Sequence, residues 1–145
     1  MGAPLRSEIL KPAGTGGFCP DPVRVMIVDD SLTVRTVFSR MIKQERDMSI
    51  LATANSAESG LAELAKAAPD VMLLDLEMPG MGGLEALPRI MQAAPQTKVL
   101  VISSLTADGA EATVKALSLG AADTMLKPRP GGFNEDYKSS LLGKI

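Results

Sequence analysis

The stretch Val71-Met72-Leu73-Leu74-Asp75-Leu76-Glu77-Met78-Pro79-Gly80 sets the architecture of this chain. Four apolar residues without polar alternation read as a strand covered on both faces, which is how strands of a parallel sheet look. The predicted strand spans Val71 to Leu76. It meets a lone carboxylate, and Met78-Pro79-Gly80 then turns the chain. An aspartate in that position is dry on the strand side and open on the loop side.

The same pattern recurs on either side. Val23 to Val28 is a short apolar run followed by Asp29-Asp30-Ser31. A helix is predicted next, with Leu32, Val34, Val37, Phe38, Met41 and Ile42 on one broad face, Arg35, Arg40 and Lys43 outside it, and Ser31 as N-cap. Met48 to Ala54 reads as a second strand, and Ser56 caps a second helix through Ala68, which Pro69 ends. After Gly80, Gly82 and Gly83 comes a helix carrying Leu84, Leu87, Ile90 and Met91. Pro88 lies inside it and predicts a late start or a kink. Val99 to Ser104 is the predicted fourth strand and Ala110 to Leu119 the fourth helix, with Gly120 as its stop. Asp123 to Leu126 is a short fifth strand, and Asn134 to Lys144 a last helix. Five strand–helix units imply a parallel sheet with helices on both faces, of order 2-1-3-4-5, a flavodoxin-like fold. Its crevice lies at the carboxyl ends of the strands, between the first and third.

Composition narrows the chemistry. The 145 residues suffice for one domain with a proper core. With no histidine in the chain, a Ser-His-Asp triad, histidine-bound zinc and histidine general bases are all excluded. The single cysteine, Cys19, permits no intrachain disulfide. Aromatic residues make up 3% and the net charge is −2, so neither base-stacking platforms nor a basic groove for nucleic acid is expected. No apolar run reaches membrane-spanning length, and a cytoplasmic protein is the plain expectation. Residues 1–22 hold four glycines and four prolines without apolar periodicity and read as a flexible leader, leaving 23–145 as the folded unit.

The strand ends bring the chemistry together. Asp29 and Asp30 follow the first strand, Asp75 ends the third, Ser103 and Ser104 the fourth, and Lys127 the fifth. Two carboxylates about 4 Å apart repel by roughly 4 kcal/mol at an effective dielectric near 20. A bound divalent cation or a shared proton relieves that cost. An all-oxygen site that also serves a phosphoryl group suits Mg²⁺. Asp30 and Asp75 are the expected direct ligands, with Asp29 orienting them or acting through water. Asp75 is the expected phosphoryl acceptor, as carboxylates are in enzymes that form aspartyl phosphates. The metal, Lys127 and the Ser103 hydroxyl would each take one equatorial oxygen.

The Asp29-Asp30-Ser31 pair, Asp75 with Met78-Pro79, Ser103, and Lys127-Pro128 together resemble the motifs of the receiver domain of two-component response regulators. The resemblance covers Val23 to about Ile145. It implies phosphorylation of Asp75 by a histidine kinase, dependence on Mg²⁺, slow hydrolysis, and a Glu77 backbone carbonyl that joins the metal ligands. Ile27 to Ser31, Asp75 to Pro79, Ser103-Ser104-Leu105-Thr106 and Ala107 to Thr113 are similar, more narrowly, to the receiver of the chemotaxis protein-glutamate methylesterase. In that family a hydrolase domain follows the receiver, and this chain has no histidine to build its site.

Two positions depart from the pattern. Thr124, three residues before Lys127, stands where receivers usually carry an aromatic switch residue, so the signal is expected to run through Ser103 and the loop after it. Gly82 replaces an aspartate common in the loop after the acceptor. Other readings are a stand-alone receiver acting as interaction module or phosphotransfer partner through the helix 4–strand 5–helix 5 surface, as a monomer or a phosphorylation-dependent dimer, and a phosphatase using Glu77 as general acid. A flavin domain shares the topology but would need aromatics and a phosphate loop without Asp29 and Asp30.

Overall fold

The computed structural model describes residues 22–104, 107–127 and 135–145. Residues 1–21 of the predicted leader, with Cys19, and Pro128 lie outside them. Within them β1 (Val23–Val28), α1 (Leu32–Lys43), β2 (Met48–Ala54), α2 (Ala57–Lys66), β3 (Val71–Asp75), α3 (Gly83–Ala93), β4 (Lys98–Ser103), α4 (Ala107–Ser118), β5 (Asp123–Leu126) and α5 (Glu135–Lys144) follow one another. The five strands form one parallel sheet in the order β2-β1-β3-β4-β5. The predicted fold and strand order hold.

Alternate residues of β1, β3 and β4 serve opposite faces, as the pleat requires. Met26, Val28, Met72, Leu74, Val99 and Val101 pack against Leu64 of α2, Ala86, Leu87 and Ile90 of α3, and Ala116 of α4. Val25, Ile27, Leu73, Leu100 and Ile102 pack against Phe38, Met41 and Ile42 of α1 and Leu141 of α5. Every residue of β3 is buried. This two-sided burial is why the opening stretch has no polar alternation.

Several boundaries move. β3 ends at Asp75 rather than Leu76, and β4 runs Lys98–Ser103 rather than Val99–Ser104. α2 stops at Lys66, because Ala67 is already extended. α4 begins at Ala107, a turn before the expected Ala110. α3 does not start late: Pro88 sits within it on the solvent side, where water can take the carbonyl its missing N–H leaves unpaired. Leu32 is 69% exposed instead of joining the α1 core face. Ser31 and Ser56 do cap their helices, accepting from the N–H groups of Val34 and Ser59.

One glycine decides how α3 meets the sheet. A Cβ at Gly83 would lie 2.5 Å from the Asp75 carbonyl oxygen and 2.8 Å from the Leu76 Cα. The start of α3 is therefore pressed against the end of β3, and the Gly83 N–H donates to the Leu76 carbonyl at 3.2 Å.

Candidate phospho-acceptor site

The ladder between parallel strands carries the site residues into one crevice. The Asp29 N–H donates to Ala54 and the Lys127 N–H to Ser103, at 3.1 and 2.7 Å, so both residues continue the register of their strands. Asp75 pairs directly with Ile102, the neighbour of Ser103. Asp29, Asp30 and Asp75 each bring a carboxylate oxygen to within 4.8 Å of the others. Asp29 and Asp75 are buried and Asp30 is exposed.

The two buried carboxylates share an arrangement. Asp29 Oδ1 accepts from the Ser31 N–H at 2.9 Å, and Asp75 Oδ1 from the Glu77 N–H at 2.9 Å. In both cases Oδ2 is buried and has no hydrogen-bond partner among the described residues. Native interiors rarely leave such groups unpaired, since each costs about 1–3 kcal/mol or more when charged. Two orphaned oxygens facing one acidic cluster fit a hard divalent cation, which takes oxygen ligands only. Asp29, Asp30 and Asp75 form a cluster that can hold a metal ion.

Electrostatics agree with the geometry. Burial pushes the Asp75 carboxyl up to about 7, and Asp29 adds to the shift, while the Glu77 N–H and Lys127 oppose it. Asp29 is raised as well, again chiefly by burial. Lys127 Nζ lies 3.1 Å from Asp75 Oδ1. Burial alone would lower this ammonium, but attraction to Asp75 and Asp29 outweighs it and holds Lys127 above its ordinary value. A positive charge that stays fixed beside an acidic crevice is suited to an incoming anion.

Ser103 is 1% exposed, and its hydroxyl lies 2.7 Å from that of Thr113 on α4. The contacts made by four further residues were not anticipated. Arg35, expected to point outward, reaches back to donate to the Asp29 carbonyl at 2.7 Å. Ser104 grips Glu77: its N–H donates to one carboxylate oxygen at 2.9 Å and its hydroxyl to the other. Thr113 holds Ser103, and Tyr137 of α5 stacks on Phe38 with ring centroids 6.3 Å apart while donating to the Leu126 carbonyl. Periodicity cannot reveal such contacts across elements, although Thr113 four residues after Gly109 is a legible back-bonding spacing.

Thr124 lines a cavity of 400 Å³ together with Ser103, Thr113, Met125, Leu126 and Tyr137. With threonine rather than an aromatic residue at 124, this space lies between the Ser103 hydroxyl and α5. Gly82 occupies the N-cap of α3 and supplies no side-chain acceptor, which is what an aspartate there would do.

The profile of the response regulator receiver domain matches residues 25–132. The chain belongs to that family. It is 36% identical to the response regulator domain of CheB from Thermotoga maritima, with a TM-score of 0.74 over 85% of this chain and 92% of that one. A protein-glutamate methylesterase/protein-glutamine glutaminase of Caulobacter vibrioides is 45% identical over 125 residues, or 85% of this chain and 36% of the relative. CheY of Borrelia burgdorferi, in its complex with CheX, BeF₃ and Mg²⁺, matches at 25% identity with a TM-score of 0.72, covering 86% of this chain and 87% of that one. The receiver chain spans about a third of the curated relatives it matches. The resemblance read from Asp29-Asp30, Asp75, Ser103 and Lys127 is thereby borne out, as is the narrower similarity to methylesterase receivers.

Proposed function

We propose that Asp75 is phosphorylated by a histidine kinase and that this switches the seating of the β4–α4 region. The observation that carries the reading is the buried Asp75 carboxylate, with Lys127 on one oxygen and none of the described residues on the other. In the transfer an Asp75 oxygen attacks phosphorus, the P–N bond of the donor phosphoimidazole breaks, and its electron pair leaves with the imidazole nitrogen. These 145 residues include no histidine, so the donor imidazole lies outside them.

Asp29, Asp30 and Asp75, with the Glu77 backbone carbonyl, would hold Mg²⁺, which supplies charge neutralisation for the incoming phosphoryl group. Lys127 and Ser103 would donate to the phosphoryl oxygens. Hydrolysis would reset the switch, and Glu77, held by Ser104, controls how water approaches the acyl phosphate. We assign the receiver unit to residues 23–145, with 1–22 a leader, and place the protein in the cytoplasm. The output is a protein-glutamate methylesterase domain, following the relatives that carry that name along a length this chain does not span.

The test is exposure of wild type and Asp75→Asn to Mg²⁺ with acetyl phosphate, read by intact mass. One added phosphoryl group on wild type and none on Asp75→Asn is expected. A wild type that gains nothing, or an equal gain in the variant, overturns the assignment.

A further inference from the structure

Proton accounting around Ser103 leads to a residue outside the acceptor crevice. The Thr113 hydroxyl donates to the Gly109 carbonyl at 2.8 Å and also lies 2.7 Å from Ser103 Oγ. A hydroxyl has one proton. Both contacts are hydrogen bonds at once only if Ser103 is the donor to Thr113. The Ser103 proton is then already committed, and Ser103 cannot donate to a phosphoryl oxygen while that bond stands. The residue is 1% exposed.

We propose that Thr113 is a positioning residue that latches the Ser103 hydroxyl in the resting protein, so that capture of a phosphoryl group at Asp75 requires Ser103 to exchange Thr113 for that group. This rests on the phospho-acceptor reading and deepens it. The exchange couples the acceptor to α4, since Thr113 lies in that helix. The first turn of α4 has little freedom to absorb the change. A Cβ at Gly109 would run into the Ser104 main chain, so the helix start lies flush against the end of β4. On its outer side α4 carries Val114 and Leu117, 69% and 47% exposed, so altered seating reaches the surface. Such a relay needs no ring at position 124.

A latch competes with the ligand, and removing it should tighten binding. Thr113→Val keeps the shape and deletes the acceptor. With the full chain, beryllofluoride at saturating Mg²⁺ should bind about five-fold more tightly to Thr113→Val than to wild type, the worth of one neutral hydrogen bond. Thr113→Ser, which keeps the hydroxyl, should bind as wild type does. In a Ser103→Ala background Thr113→Val should make no difference. The lost Gly109 contact is common to resting and bound states, so it lowers thermal stability without changing affinity. In wild type the Thr113 methyl resonance should shift on adding beryllofluoride, and in Ser103→Ala it should not; this readout requires no substitution at 113. Binding by wild type with no gain in Thr113→Val, a gain that survives Ser103→Ala, or an unmoved methyl overturns the latch alone. Wild type that takes up no beryllofluoride overturns the phospho-acceptor reading and the latch with it.

Discussion

The two ends of the sheet treat the same side chain in opposite ways. At the amino end Asp70 is exposed, takes the Arg24 N–H at 2.9 Å and the Arg24 guanidinium at 3.4 Å, and is held below the ordinary carboxylate range by those bonds. At the carboxyl end Asp29 and Asp75 are buried, each with one oxygen that has no partner among the described residues, and both are raised. Asp70 fastens the start of β3 to β1, and the fold needs nothing more of it. Asp75 weakens the fold it ends. Two frustrated carboxylates at one end, beside a third satisfied at the other, are what the proposed metal and phosphoryl site calls for.

Asp75→Asn tests the contrast most severely. Phosphorylation should vanish, and without divalent cation the variant should be about 2 kcal/mol more stable than wild type at pH 8, read by urea denaturation. A less stable variant would mean that Asp75 is already content in the resting fold. The pH dependence should follow. Because the folded carboxyl is raised to about 7 from 3.8, the folded protein binds more protons than the unfolded chain between those values. Stability contributed by this group is therefore highest in acid and falls as pH rises from about 4 through about 7. Urea midpoints in chelator should show this decline in wild type and a flatter profile in Asp75→Asn. Equal slopes would break the comparison.

At the other end, Asp70→Asn should cost less than about 1 kcal/mol, since the pair is half exposed and screened. The loss should appear above about pH 4 and shrink with added salt. The smallest effect sharpens the contrast from the loop. Gly82→Asp gives α3 a capping carboxylate where a Cβ meets only the Leu76 carbonyl, at 3.4 Å. A gain of about 0.5 kcal/mol is expected, because glycine is already a tolerable cap. A loss would show that the acceptor loop relies on glycine's freedom there.

The sheet end that matters was the easier one to read from residues alone. Apolar runs stopping at Asp29, Asp75 and Ser103 fix strands, order and crevice together, because parallel pairing leaves little choice of where those side chains go. What escaped is held by contacts between elements: Ser104 on Glu77, Thr113 on Ser103, Arg35 on the Asp29 carbonyl. Each joins residues through the folded crevice rather than through periodicity. Pro88 misled about the start of α3 because propensity speaks of isolated helices, and this one is held by Leu87 and Ile90 in the core. Leu32 misled for the opposite reason. As the first residue of α1 it sits where the helix has barely begun to cover the sheet.

The close seating of Gly83 on the Asp75 carbonyl bears on how a genetic screen of this receiver would read. Any larger residue at 83 must displace either the start of α3 or the main chain of the acceptor itself. Such alleles would be scored as signalling-defective, and suppressors would arise among the residues that seat α3 rather than in a kinase. Position 83 is thus a place where a packing lesion is indistinguishable by phenotype from a lost phosphosite, until the protein is weighed for its phosphoryl group.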